Sequence, residues 1–135
     1  MDETVTYVTE EQVIMLRRGF AEYPVKNEYI SKGTFRYIKE SVKDLFNDLP
    51  LREALIRKAA YLLYRIIAQH PFLDGNKRTG FGVADAFLRL NGMKILVDPD
   101  EIVKLALSIA EGKVSEDDVY RWLSQHLRNT MESEG

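Results

Sequence analysis

The chain has 135 residues, of which 45% are hydrophobic and 30% charged, and its formal net charge at pH 7 is −2. That length can bury one hydrophobic core, and the composition is typical of a soluble globular protein. The absence of cysteine excludes disulfides and thiolate metal sites. The net charge argues against nucleic-acid binding through bulk electrostatics. No apolar run is long enough to span a membrane, and the acidic start is unlike a signal peptide, so we expect a cytoplasmic protein without membrane contact.

The first part of the chain has a helical period. Thr9 and Gln12 have the spacing of a capping box, which predicts the start of a helix. This helix should end at Tyr23, because the residue before a proline avoids helical geometry. Residues 25–33 show no clear period, and a second helix is predicted from Thr34 to about Asn47.

The longest predicted helix runs from Leu51 to Gln69. Its two adjacent apolar stripes indicate a wide buried face, as expected of the central helix in a bundle. Pro71 stops this helix immediately after His70. The next helix is predicted from about Asn76 to Leu90. It contains small residues that allow a neighbouring helix to approach closely, namely Gly80, Gly82, Ala84 and Ala86.

The last third of the chain continues the helical pattern after an Asn-Gly pair that closes the preceding helix. Residues 93–97 indicate a short extended piece. A helix is predicted from the Asp98 cap to Glu111, and another from Ser115 to about Leu127. Residues 129–135 should form a frayed tail. The whole chain is therefore predicted to be a single compact all-α domain, a bundle of about six helices.

The stretch from His70 to Arg78 reads His-Pro-Phe-Leu-Asp-Gly-Asn-Lys-Arg and carries the chemistry of the chain. His70 follows a buried helix and can accept a proton near neutral pH. Asp74 can hold Mg²⁺ against a nucleotide, because phosphates and waters complete the coordination of this ion. A zinc site is a weak alternative, since the other histidine is the distant His126 and no thiolate exists.

The residues after Asp74 are suited to binding phosphate. Gly75 lets the backbone turn so that N–H groups converge on an oxyanion. Asn76 either donates its amide to the ligand or caps the following helix, and the sequence leaves both roles open. Lys77 and Arg78 fall in the first turn of a helix, where cations oppose the helix dipole. We therefore expect a bound anion there, since such charges neutralise phosphate oxygens during phosphoryl transfer.

The same nine residues resemble the signature of the Fic/Doc family, His-Pro-Phe-x-Asp/Glu-Gly-Asn-Gly/Lys-Arg, and every specified position is filled. Lys77, with Thr79 after it and the run Phe-Leu-Arg-Leu-Asn-Gly at 87–92, is similar to the death-on-curing (Doc) branch. Residues 8–13 and 112–119 also occupy matching places in Doc-like proteins. The resemblance implies a Fic/Doc-like helical fold over residues 1–135.

The resemblance also implies a transferase that uses ATP and Mg²⁺ to modify a hydroxyl of a target protein. His70 would be the base, Asp74 the Mg²⁺ ligand, and Gly75, Asn76, Lys77 and Arg78 the phosphate cradle. Fic-type proteins commonly transfer AMP, whereas Doc transfers the γ-phosphoryl group to a translation factor, elongation factor Tu. Phe81 stands where the common Fic pattern has a second arginine, which favours phosphate transfer over adenylylation.

Three functions follow as hypotheses: a Doc-like phosphotransferase toxin, which we favour, an adenylyltransferase, and a nucleotide-binding helical module without catalysis. The family's short extended flap pairs with the target as an added strand. The corresponding residues 23–33 have no recognisable Doc sequence, so the target protein is not predicted.

Family members are inhibited by a helix with the pattern Ser/Thr-x-x-x-Glu-Gly/Asn. This chain has that pattern at Thr130–Gly135, where a stable helix is not expected, so we predict a separate antitoxin partner.

Overall fold

The computed structural model describes residues 4–19 and 29–130, which form six α-helices and a two-stranded sheet. This confirms the predicted all-α class. No helix within these two ranges is long and apolar enough to cross a membrane. The helices are α1 (Glu10–Arg18), α2 (Lys32–Ser41), α3 (Leu51–Gln69), α4 (Asn76–Leu90), α5 (Pro99–Ala110) and α6 (Glu116–Gln125), and the strands are β1 (Met93–Ile95) and β2 (Leu127–Asn129).

The α3 helix is the centre of the fold, packed against α4 on one side and α6 on another. Both α3 and α4 begin and end where the sequence predicted. A Cβ added to Gly80 would lie 2.7 Å from Ile67 Cγ1 and 3.2 Å from the carbonyl oxygen of Leu63 on α3. A Cβ at Gly82 would lie 2.9 Å from Leu16 Cδ2 on α1. The glycines of α4 therefore permit the close helix packing that the sequence indicated.

The limits of α1 and α2 differ from the sequence prediction. The capping box at Thr9 is present, but α1 ends at Arg18, where the N–H of Gly19 donates to the Met15 and Leu16 carbonyls. The predicted end at Tyr23 lies outside the described residues, as does most of the expected flap. The α2 helix starts at Lys32, within that expected flap, and ends at Ser41, earlier than predicted.

A buried lysine explains the early end of α2. A short 3-10 turn at Val42–Asp44 follows the helix, and Phe46 then adopts a positive φ of 65°. Lys58 is fully buried on α3, where its Nζ donates to the carbonyls of Val42 and Leu45 and to Asn47 Oδ1. These acceptors are thus satisfied by a side chain, so the helix does not continue through them.

The C-terminal residues are more ordered than predicted. The α6 helix ends at Gln125, and β2 pairs antiparallel with β1, with Asn129 opposite Met93. The backbone N–H of Thr130 donates to the carbonyl of Gly92. The prediction of a frayed tail starting at residue 129 is therefore wrong for 129 and 130, because these residues belong to a backbone ladder. Residues 131–135 lie outside the described residues.

We expect Gly80→Ala to lower the free energy of unfolding. Alanine improves helix propensity by about 1 kcal/mol, but crowding a packed core typically costs about 1–3 kcal/mol. Its Cβ would lie 3.2 Å from a backbone oxygen of α3, an atom that cannot rotate away. A net loss of about 1 kcal/mol should appear in urea denaturation.

The matched control is Gly33→Ala in α2, where an added Cβ meets nothing within 4 Å. That variant should be at least as stable as the unmodified protein. Equal stability of the two variants would contradict this prediction, because it would show that α3 and α4 can adjust to the added Cβ without a loss of stability.

Candidate active site

One open cleft of about 830 Å³ is lined by α1, α3, α4, α5 and the loop between α3 and α4. Its polar part contains all of the predicted site residues: His70, Asp74, Gly75, Asn76, Lys77 and Arg78. Its apolar part comes from other helices and includes Leu16, Ile102, Val103 and Leu107, with Phe81 from α4. The structure therefore brings the sequence-predicted residues together on one solvent-open surface.

His70 terminates α3 in the left-handed region, with φ 50° and ψ 58°, and its side chain is exposed. Its ring Nδ1 lies 3.0 Å from the carbonyl oxygen of Ala68. A carbonyl can only accept a hydrogen bond, so Nδ1 carries the hydrogen in this contact. The neutral ring then has an unprotonated Nε2, which is the form that a general base requires. The sequence did not predict this choice of tautomer.

Gly75 forms the turn between the loop and α4. It adopts φ 74° and ψ 23°, a conformation that strongly favours glycine, and it is the N-cap of α4. The first hydrogen bond within the helix runs from the Thr79 N–H to the Gly75 carbonyl. The N–H groups of residues 76–78 precede that bond, so they have no acceptor within the helix. The positive end of the α4 dipole thus faces the cleft that Lys77 and Arg78 also line.

Asn76 has a contact that the sequence did not suggest. Its Oδ1 accepts from the backbone N–H of Phe72 at 3.0 Å, and its Nδ2 donates to the Phe72 carbonyl at 2.8 Å. The capping alternative is wrong, because Gly75 is the N-cap and Asn76 is the first helical residue. The amide instead ties the loop to the helix. A contact of Asn76 with phosphate stays a prediction.

Arg17 on α1 is the site residue that sequence reasoning missed. Its side chain is buried beneath the loop, and Nη1 donates to the Asp74 carbonyl at 3.0 Å and to Thr79 Oγ1 at 2.8 Å. The guanidinium also lies 3.8 Å from the centroid of the Phe72 ring. The spacing in the sequence could have indicated its burial, because Arg17 follows Val13 by four residues and so lies on the apolar face of α1.

An aromatic cluster holds the loop from the other side. The Phe72 ring stacks on Tyr29 with centroids 4.9 Å apart, and the backbone N–H groups of Ile30 and Ser31 donate to the Pro71 carbonyl. The Tyr29 hydroxyl donates to Glu10 Oε2 at 2.8 Å. Burial, followed by this hydrogen bond, raises the pKa of Tyr29 to about 12. The chain entering α2 is therefore fixed to both α1 and the loop.

The donor set at Asp74 fits Mg²⁺ bound together with a nucleotide. Within the described ranges, no group of three or more His, Cys, Asp or Glu side chains could hold a metal. Asp74 is exposed at the cleft, so its carboxylate could serve as a single protein ligand to an ion otherwise held by phosphates and water. His126 does not help a zinc site, because its Nδ1 lies 2.7 Å from the Trp122 carbonyl, away from the cleft lining.

The C-terminal pattern that resembles an inhibitory motif begins far from this cleft. Thr130 is bonded to Gly92, beyond the C-terminal end of α4. The residues predicted to bind phosphate are at the other end of α4, which has 15 residues and is therefore about 22 Å long. The position of Thr130 gives no support to self-inhibition by Thr130–Gly135.

Comparison with known proteins agrees with this geometry. A profile of the Fic/DOC family matches residues 7–88, a range that includes the whole loop from His70 to Arg78. The Toxin Doc of Mycolicibacterium smegmatis is 44% identical over 43 residues, which are 32% of this chain and 33% of that relative. The match to this relative thus spans about a third of its length. Since the family profile covers more than half of the sequence, the chain belongs to the Fic/DOC family.

Proposed function

We propose that this protein is a Doc-like phosphotransferase that moves the γ-phosphoryl group of ATP to a serine or threonine hydroxyl of a target protein. One observation carries the proposal: His70 lines the same cleft as the N-terminus of α4 with Lys77 and Arg78. A base and an anion site on one surface are what transfer to a hydroxyl requires. A site that only bound nucleotide would need no base there.

The proposed reaction uses the residues as they are arranged. The Nε2 of His70 accepts the proton of the target hydroxyl as its oxygen attacks the γ-phosphorus. The bond from phosphorus to the β,γ-bridging oxygen breaks, and ADP leaves with the bonding pair. The proton on His70 is then released to solvent. Lys77, Arg78 and the N–H groups at the start of α4 stabilise the negative charge on the phosphate oxygens.

Asp74 would hold Mg²⁺ in this reaction. When bound, the ion would neutralise phosphate charge and orient the nucleotide. Arg17 holds the backbone of Asp74 through its carbonyl, so the residue that carries this carboxylate is anchored at the cleft.

Two residues of α4 support phosphate transfer over AMP transfer. Lys77 places a side chain and a cation where the common Fic pattern has glycine. Phe81, one helical turn further on, lines the cleft with an apolar ring where that pattern has a second arginine. A diphosphate bound along this stretch would therefore lack a clamp at position 81, which favours an orientation with the γ-phosphorus presented to His70.

The relative named Toxin Doc suggests the biological setting. We propose that this protein is the toxin of a toxin–antitoxin pair, and that a separate antitoxin protein controls it. By family resemblance the target would be a translation factor such as elongation factor Tu. Mass spectrometry of candidate targets after incubation with the protein, ATP and Mg²⁺ tests the proposal, because added phosphate and added AMP differ in mass. Unmodified targets under all conditions would contradict it.

Replacing His70 by alanine should lower the transfer rate by about 10²–10⁴, the usual contribution of a general base. Nucleotide affinity should change little, because the expected phosphate contacts come from residues 75–78. The phosphorylation rate and ATP binding would be measured separately. The control is His126→Ala, which changes the histidine outside the cleft. Full activity of His70→Ala would show that His70 is not the general base.

Replacing Asp74 by asparagine should raise the Mg²⁺ concentration needed for half-maximal activity by about tenfold or more, since even outer partners of metal ligands change affinity by 10–100-fold. The backbone carbonyl that Arg17 contacts is retained in this variant. Asp85→Asn is the control, because Asp85 pairs with Arg89 outside the cleft. An unchanged Mg²⁺ titration would mean that Asp74 is not a metal ligand.

Lys77→Gly tests the choice of transferred group. Loss of the cation should slow phosphate transfer severely, while the smaller residue lets the backbone approach a diphosphate. Some AMP transfer should then appear, and Lys77→Gly combined with Phe81→Arg should increase it. The products would be distinguished by the mass added to the target. AMP on a target treated with the unmodified protein would promote the adenylyltransferase alternative.

A further inference from the structure

We propose that Arg17 is a positioning residue for the metal-binding and phosphate-binding turn, holding the backbone of Asp74 in place from beneath the cleft. This inference rests on the proposed function, because it concerns Mg²⁺ bound with a nucleotide. Arg17 is 1% exposed, and it does not line the cleft. Its effect on a ligand would therefore pass through the groups that it holds.

The contacts of Arg17 lie on both sides of the turn at Gly75. Before the turn, Nη1 donates to the Asp74 carbonyl at 3.0 Å, and after it Nη1 donates to Thr79 Oγ1 at 2.8 Å. The guanidinium carbon Cζ lies over the Phe72 ring, 3.8 Å from its centroid. One rigid group thus contacts three points of the segment 72–79, so it holds the backbone of Asp74 next to the first turn of α4.

The turn needs such an anchor because of its own sequence. Gly75 has the largest backbone freedom of any residue type, and it adopts the left-handed region here. A turn built on glycine loses much entropy when it orders around a ligand. Contacts on both sides reduce that freedom before the ligand binds, which is how outer partners raise the affinity of metal ligands.

Arginine suits this role better than lysine. Its planar guanidinium can donate several hydrogen bonds and lie flat on an aromatic ring at once, whereas a lysine ammonium acts as a point charge. Burial lowers the pKa of Arg17, and the nearby Asp74 carboxylate acts in the opposite direction. Arg17 stays a cation at neutral pH, because arginine does not lose its proton in proteins. A buried cation next to Asp74 also explains how this side chain is tolerated inside the core.

A direct measurement of metal binding distinguishes a positioning role of Arg17 from a merely structural one. The probe is Mn²⁺, and its binding is measured by electron paramagnetic resonance. The β,γ-imido analogue of ATP, which is not hydrolysed, is present in each sample. The unmodified protein is compared with three variants. Arg17→Lys removes the guanidinium. Thr79→Val keeps the side-chain volume but removes the hydroxyl, whereas Thr79→Ser keeps the hydroxyl. Arg18→Lys is the matched control, because Arg18 is the exposed neighbour of Arg17 on α1.

We expect Arg17→Lys to weaken Mn²⁺ binding by about tenfold or more, and Thr79→Val to weaken it less. Thr79→Ser and Arg18→Lys should bind as the unmodified protein does. The Mg²⁺ concentration for half-maximal transfer should rise in the same order as the Mn²⁺ dissociation constant. If Arg17→Lys does not fold, the Thr79→Val and Thr79→Ser pair makes the same comparison.

The positioning role of Arg17 and the proposed Mg²⁺-dependent function would be contradicted by different results. Normal Mn²⁺ affinity in Arg17→Lys and Thr79→Val, with only a lower urea midpoint, would overturn the positioning role and leave the proposed function intact. An unmodified protein that binds no Mn²⁺ with the nucleotide analogue would overturn the Mg²⁺-dependent function itself.

Discussion

The close packing of α3 on α4 is the constraint on which the site depends. Gly80 lies against Ile67 and the backbone of Leu63, so the start of α4 is held next to the end of α3. A short loop must reverse the chain between these two fixed helix ends. It does so with left-handed residues at both ends, His70 and Gly75. The helix pair therefore places a histidine and a helix N-terminus on the same face.

Fixed ends do not by themselves fix the middle of a loop. Here the middle is held by the two hydrogen bonds between Asn76 and Phe72 and by the buried guanidinium of Arg17. Phe72 is the point where these contacts meet, since its ring also packs on Tyr29 and Phe35. The charged side chains of Asp74, Lys77 and Arg78 are exposed, whereas Arg17 and Phe72, which hold the loop, are buried. Such preorganisation is what electrostatic catalysis of phosphoryl transfer needs.

Local signals explain which features could be predicted from the sequence. The capping box at Thr9, the start of α6 after Ser115, and the limits of α3 and α4 are encoded within a few residues, and the structure confirms these predictions. The end of α2 depends on Lys58, and β2 depends on pairing with β1. Arg17 contacts the loop from 57 residues away. These features arise from tertiary contacts. Spacing places Arg17 on the buried face of α1, but it does not reveal which distant segment the side chain contacts.

The proposed orientation of the nucleotide depends on Lys77 and Phe81. They are four residues apart on α4, so they occupy the same face one turn from each other, and both line the cleft. The same cleft has an apolar part, to which α5 contributes Ile102, Val103 and Leu107. Lys77 and Arg78 would neutralise phosphate charge, whereas the apolar lining suits the less polar nucleoside. This division of the lining supports the proposed phosphate transfer, because phosphates bound at the N-terminus of α4 would lie in the cleft that His70 also lines.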